Sequence, residues 1–290
     1  MTKTGLFIGL ITLDLTYMTT NYPEKNQKVV ANNYTITAGG PATNAAVTFS
    51  YFNNQTTLLC GLGNHPITNL IKADLEKHNV TIQDLDKNRS EPPPVSSIIT
   101  TQDTGDRAVI SINATKSQIS KELIFPEIID NIDIVLIDGH QIAASLEIAQ
   151  FAKSKNIPIV IDGGSWKPGF EEILPFVDYA ICSANFYPPN CESQESVFAY
   201  LESLNIPNIA ITQGEKPIKY LSQGKFGNVE VPKINAVDTL GAGDIFHGAF
   251  CHYIFDRKFT KALANAANIA AHSCQYFGTR QWVNSTICIF

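Results

Sequence analysis

The chain carries little charge for its length and has no run of one sign. Of its 290 residues 17% are charged, and 21 basic against 27 acidic side chains leave a net charge of −6. Without a basic cluster, nucleic acid and anionic membranes are poor candidate partners, although a local anion site can outweigh the global field. No apolar run reaches membrane-spanning length. The stretch 6–13 is broken by Gly9 and Thr12, stopped by Asp14, and lacks the basic region and cleavage site of a secretory signal. The six cysteines (Cys60, Cys182, Cys191, Cys251, Cys274, Cys288) form no CxxC pair, and five sit in apolar surroundings. That fits buried thiols in a reducing compartment rather than disulfides or a metal site. A cytoplasmic location is expected, and the sequon at 113–115 then carries no meaning.

Several chemical signatures are also missing. There is no GxxxxGK[ST] loop, and Gly61-Leu62-Gly63 meets Pro66 where a dinucleotide fingerprint needs its third glycine. Gly163-Gly164-Ser165 lacks the closing glycine of a nucleophile elbow. His140, His247 and the other histidines show no metal-ligand spacing, so satisfied or exposed roles are expected for them.

What is present is an alternation of short apolar runs with helical patterns, in a composition typical of a globular protein. Strands are expected over 6–10, 57–60, 134–137, 159–161, 179–182 and 209–212. Helices are expected over 41–52, 67–79, 143–155, 170–176 and 193–204, and two long ones over 242–255 and 260–276. Continuous apolar strands between amphipathic helices indicate a mostly parallel sheet covered on both faces, in a single α/β domain spanning 1–290. Two regions, about 14–37 and 95–113, break the rhythm with Thr, Val, Ile, Tyr and Ser. The second holds two strand-like halves around the polar loop 102–106, a hairpin pattern. The two regions are expected to pair into a small sheet acting as a lid over the site, or else to extend the edge of the main sheet.

One motif dominates the chemistry. Asp238-Thr239-Leu240-Gly241-Ala242-Gly243-Asp244 is a small-residue turn, with a carboxylate at each end, that opens an apolar helix. Small residues let backbone N–H groups converge on an anion, and the helix adds its free N–H groups and positive dipole end. Asp244 in that position suits a proton acceptor for a hydroxyl attacking phosphorus, although an Asp at a helix start also serves as a plain cap. A second motif, Gly39-Gly40-Pro41-Ala42-Thr43-Asn44, follows a strand-like run and opens a helix. Its glycines allow a close ligand approach, and Asn44 can both donate and accept toward a polyol; a structural helix start answers the same pattern. Asp14 falls at the end of the first apolar run, where open α/β sheets bind ligands or simply turn. Thr212-Gln213-Gly214 lies just past another strand, where a nucleotide could rest.

With both glycine motifs in this order, the chain resembles the ribokinase-like (PfkB-type) carbohydrate kinases over essentially its whole length. The resemblance implies a three-layer α/β/α sandwich with a small β-sheet lid. It implies an ATP-dependent, Mg2+-requiring phosphotransferase acting on a hydroxyl of a small sugar or sugar derivative. Asp244 is then the catalytic base, and Gly241, Ala242 and Gly243 form the anion hole. Asp14, Gly39, Gly40 and Asn44 match substrate contacts, and Arg107 in the lid hairpin could meet an anionic group or simply be solvated. Ser183, Thr212, Gly214 and Asn268 fall on the nucleotide side. Asp238 matches a residue that holds an activating monovalent cation such as K+. Lid sheets in this family often pair, so a homodimer is an expectation too.

Two departures stand out. Many members carry an NxxE motif whose acid organises magnesium, and Ser183-Ala184-Asn185-Phe186 has no acid there. Asp138-Gly139-His140 stands where several sugar kinases place a substrate-contacting Glu. A nucleoside kinase on the same fold and a non-catalytic sugar or nucleotide sensor are the alternative readings.

Overall fold

The computed structural model describes residues 2–102, 105–112 and 117–285. Asp103 and Thr104 of the 102–106 segment, the end of the 95–113 region with its sequon, and Cys288 lie outside the described residues. Seven strands run parallel in a nine-stranded sheet: β1 (Thr4–Ile8), β4 (Gln55–Cys60), β5 (Val80–Asp84), β8 (Ile134–Ile137), β9 (Ile159–Gly163), β10 (Tyr179–Ser183) and β11 (Asn208–Gln213). An antiparallel hairpin, β12 (Lys216–Ser222) and β13 (Lys225–Val229), finishes one edge, giving the order β13-β12-β11-β10-β9-β8-β1-β4-β5.

Helices cover both faces, which is why the strands read as unbroken apolar runs. On one face α1 (Pro41–Tyr51), α2 (Thr68–Lys77), α6 (Ala242–Tyr253) and α7 (Phe259–Ser273) pack on Phe7, Leu58, Leu136 and Ile181. On the other α3 (Ile142–Ser154), α4 (Phe170–Ile173) and α5 (Gln194–Ser203) pack on Leu6, Ile8, Val135 and Ile161. These are the three layers of a ribokinase-like sandwich. Among the described residues no helix is long and apolar enough to cross a membrane, and Cys60, Cys182, Cys251 and Cys274 are buried free thiols.

The two strand-rich regions pair with each other and not with the main sheet. They form a four-stranded sheet in the order β3-β2-β6-β7, from β2 (Thr12–Thr19), β3 (Asn33–Gly39), β6 (Val95–Thr101) and β7 (Arg107–Ile110). The two-residue period of a strand puts Asp14 and Thr16 on one side, together with Thr37 and Ser96, the cross-strand partners of Asp14. That polar face is buried, whereas Tyr17, Tyr34, Ile36 and Ile110 stay exposed on the other, with the two tyrosines stacked. Asp14 therefore does not end the first strand as expected. The run 6–13 is divided at 9–11, and its second half enters the small sheet.

The contact that aligns the two motif helices is set by a missing side chain. At Gly248 on α6 a Cβ would strike the Ala45 carbonyl of α1, so the two backbones meet directly. Gly248→Ala should therefore push α1 and α6 apart and lower stability by about 1–3 kcal/mol. A urea-denaturation midpoint at unchanged slope measures the loss.

Candidate active site

The 238–241 turn is held from three directions through one carboxylate. Asp238 is buried; its Oδ1 accepts from the Leu240 N–H (2.9 Å) and the Thr100 hydroxyl (3.4 Å), and its Oδ2 from the Gly278 N–H (2.9 Å). Burial pushes this carboxyl above its ordinary range, against the Leu240 and Gly278 N–H bonds and Arg107, which lower it. The turn is thereby tied to β6 and to the loop after α7. Gly241 caps α6 in the left-handed region (φ 70°), where glycine is unstrained. A Cβ there would come within 2.7 Å of the Thr279 methyl group. Gly243 faces open space at the helix start, where the first N–H groups have no intrahelical partner.

Asp244, in the first turn of α6, is reached from α1. Asn44 Nδ2 donates to Asp244 Oδ2 at 2.8 Å across a separation of 200 residues. The orientation of that carboxamide is fixed chemically. Arg280 Nη1 donates to Asn44 Oδ1 at 2.8 Å, and a guanidinium has no acceptor, so the amide NH2 must face Asp244. Arg280 is itself buried and held by Asp74 Oδ2 (3.2 Å), the Ala38 carbonyl (2.7 Å) and Thr279 Oγ1 (3.0 Å). Burial first, and then the charge of Asp162, push Asp244 up to about 7, while Asn44, His247 and Arg107 pull it down.

The glycines of the second motif shape the neighbouring pocket. A Cβ on Gly39 would collide with the Asp14 carboxylate, and one on Gly40 (φ 103°) with the Leu10 carbonyl. Asp14 is buried, accepts from Thr12 Oγ1 at 2.6 Å, and is raised by burial against the pull of Thr12, Ser96 and Arg280. Asp138 is also buried, but backbone N–H groups take up its carboxylate. Leu10 (2.8 Å) and Ala42 (3.1 Å) donate to one oxygen and His140 (2.8 Å) to the other. It staples the start of α1 to the β1–β2 connection.

On the far side of Gly243 a cleft of about 910 Å³ is lined by Thr212, Gly214, Ala242, Gly243 and Ala267 among others. Thr212 Oγ1 donates to the Cys182 carbonyl at 3.3 Å. Ser183 donates to the Gly164 carbonyl (2.6 Å) and accepts from the Asn185 N–H, beside the cleft and not among its lining residues. Asn268 is half-buried on α7, and the cleft-lining residues there are Ala267, Ala270 and Ala271, with Cys274 just past the helix end. Arg107 is exposed and donates to the Thr239 carbonyl (3.0 Å) and hydroxyl (2.8 Å), linking β7 to the 238–241 turn. Sequence reasoning missed Arg280, Asp162 and a role for His247. Arg280 lies 236 residues from Asn44, and only its position after Gly278-Thr279 beyond an apolar helix offered a hint.

A doubly covered parallel sheet, a small companion sheet and a carboxylate at a glycine-rich helix start define the chain as a ribokinase-like phosphotransferase. The family model described as "pfkB family carbohydrate kinase" matches residues 4–286, and the chain belongs to that family. It is 25% identical to the ribokinase of Lactococcus lactis over 97% of this chain and 93% of that protein. It is equally 25% identical to a deoxyribokinase of Salmonella typhi, over 94% and 93% of the two chains. The structure of Arabidopsis thaliana ribokinase complexed with ribose and ATP superposes with a TM-score of 0.77 at 20% identity, covering 99% of this chain and 100% of that one. The chain is thus a carbohydrate kinase, with an alcohol group as phosphoryl acceptor.

Two outcomes test the network around Asp244. Arg280→Leu strips partners from Asp74, Asn44 and the Ala38 carbonyl at once and should cost about 3–5 kcal/mol in urea denaturation. Arg280→Lys, which keeps the charge but not the fork, should recover only part of that loss. The folded pKa of Asp244 lies above its unfolded value, so its stability contribution is present at low pH and lost as pH rises through about 7. Asp244→Asn should therefore raise the melting temperature increasingly from about pH 4 up to pH 7 and by a constant amount above.

Proposed function

We propose that this carbohydrate kinase transfers the γ-phosphoryl group of ATP to a hydroxyl of a small sugar or sugar derivative, with Asp244 as base and the 241–244 backbone as anion hole. The observation that carries the reading is the position of Asp244, a carboxyl raised to about 7 at the start of α6. On one side of it lie Asp14, Gly39, Gly40 and Asn44; on the other is the cleft of Thr212 and Gly214. Asp244 accepts the proton of the attacking hydroxyl as the new O–P bond forms and the bond to the leaving diphosphate breaks. Asn44 keeps the carboxylate aimed, and the backbone N–H groups of 241–244 stabilise the charge that spreads over the phosphoryl oxygens. Asp14 accepts from a sugar hydroxyl, with Gly39 and Gly40 letting the substrate lie against the backbone. Thr212 and Gly214 border the nucleotide, and Ser183 and Asn268 support that side from behind.

The cleft fits a nucleotide in size and in its small-residue lining. Mg2+ supplies charge shielding for the phosphates. Bound to the nucleotide, the ion would be held at this site through water and the phosphate oxygens rather than by a cage of carboxylates. Asp238, buried and raised, is the residue we assign to a monovalent cation such as K+. The single chain 1–290 works as one domain, with the small sheet as its lid. The exposed face of Tyr17, Tyr34, Ile36 and Ile110 is where a second copy pairs. The demand for ATP suits a cytoplasmic enzyme.

ADP release across a panel of sugars, sugar acids and nucleosides tests the reading. Asp244→Asn should cut turnover about 10²–10⁴-fold while leaving ATP affinity intact. In the wild type kcat/KM should climb with pH through about 7, since the base must be ionised. Unchanged turnover in Asp244→Asn would remove the base. Release with nucleosides alone would move the substrate class, and binding without any release would indicate a sensor.

A further inference from the structure

Beneath the phosphate turn lies a histidine–aspartate pair that the transfer step does not touch. His247, one turn along α6 from Asp244, is 4% exposed. Its Nδ1 stands 2.7 Å from the Gly243 carbonyl and 3.4 Å from Asp162 Oδ2, and its Nε2 stands 3.1 Å from the Ile181 carbonyl on β10. Both carbonyls lack a proton to share, so only a ring protonated on both nitrogens satisfies both contacts. Asp162, at the end of β9, is 5% exposed, and His247 is its ion-pair partner among the described residues.

The carbonyl that His247 holds belongs to the peptide linking Gly243 to Asp244. A donor on that oxygen polarises the peptide and strengthens the N–H at its other end, which is the Asp244 N–H of the anion hole. One side chain thus fixes both the backbone donor and the helix turn that carries the base.

We propose that His247 and Asp162 form a positioning pair for the phosphoryl-transfer site: Asp162 holds the His247 ring, and His247 anchors the Gly243–Asp244 peptide that carries the base and its backbone donor. The inference rests on Asp244 being the base, as read above. The electrostatics agree in sign, because Asp162 pushes Asp244 up and His247 pulls it down, both after the larger push of burial. Other charged and titratable groups face the same space. Arg107 reaches it from β7, and Arg280 acts through Asn44 on α1. His140, lowered chiefly by burial, and Asp138 flank it after β8, and Asp162 lies near the His140 ring. The thiols of Cys182 on β10 and Cys251 on α6 are pushed up by burial and then by Asp162, so they stay protonated and carry no charge into the balance.

The test follows the Asp244 carboxyl directly, by carbon-detected NMR titration assigned through Asp244→Asn, alongside the pH profile of kcat/KM. His247→Gln keeps a donor but loses the charge and should raise the Asp244 midpoint by roughly one unit. Asp162→Asn should lower it by a similar amount, and the double variant should return close to wild type. The acid limb of the rate profile should move with each midpoint while the sugar KM holds. In the wild type, nitrogen shifts of the His247 ring at neutral pH should report protons on both nitrogens, a measurement that needs no variant to fold. Midpoints that stay put in both single variants, or a neutral His247 ring, would overturn the proposal. Midpoints that shift as expected in a protein releasing no ADP with any acceptor would uphold the pair and overturn the kinase reading instead.

Discussion

Everything at this site depends on the 2.8 Å hydrogen bond by which Asn44 reaches Asp244. It joins two helices from opposite ends of the chain, so the parts that shape it must bring α1 and α6 into backbone contact. Gly248 against Ala45 provides that approach, and the small residues Ala42, Ala45 and Ala46 keep the facing side of α1 thin. Behind it stands Arg280, whose five donors and lack of any acceptor leave the Asn44 carboxamide a single orientation. Arg280 uses one lone pair of the Asn44 oxygen and Asp244 one of its N–H groups, so Asn44 keeps a second lone pair and a second N–H, consistent with the expectation that it both donates and accepts toward a polyol.

How much of this was legible in the sequence depends on how local the determining physics is. The segment 134–137 was readable as a strand because both faces of that strand are covered, leaving an apolar run with no alternation to confuse it. β5, β12 and β13 went unread for the opposite reason. β5 and β13 are the edge strands and β12 lies next to β13; all three are partly exposed and interleave lysine, threonine or glutamine with their apolar positions. The strand expected over 6–10, with Asp14 close behind its end, overruns the true end at Ile8 because composition does not register the break at 9–11, where the chain leaves the main sheet for the small one. The glycine motifs were legible because close approach and positive φ act within a few residues. Arg280, Asp162 and His247 act only through partners brought close by the fold, and no spacing rule reports such pairs.

The charge arrangement explains how a chain of net charge −6 can offer a site to an anion. Five aspartates surround the turn, yet they differ in state. Asp138 is saturated by three backbone N–H groups. Asp14, Asp238 and Asp244 are raised by burial. Asp162 sits against His247. Arg107, Arg280 and the start of α6 add positive potential on the same side. Local polarity is thus decided by burial and partners, and the net charge of the chain says little about it.

The same inventory bears on the substrate, on the function proposed above. Of the polar groups beside Asp244, the Asp138 carboxylate is taken up by three backbone N–H groups, Arg280 uses one lone pair of the Asn44 oxygen, and the Thr12 hydroxyl gives its proton to Asp14. Open to a substrate are the acceptor Asp14 and the second N–H and second lone pair of Asn44, while the two arginines nearest to them are already engaged, Arg280 with Asp74, Asn44 and the Ala38 carbonyl and Arg107 with Thr239. An acidic sugar in that pocket would place its charge against Asp14 without a counter-ion, at a desolvated position where such repulsion is strong. A neutral polyol instead satisfies both remaining groups, donating to Asp14 and accepting from Asn44. On the proposed function, this set of groups favours a hydroxyl-bearing substrate over an acidic one, and the anion site is assigned to the phosphoryl side of Asp244.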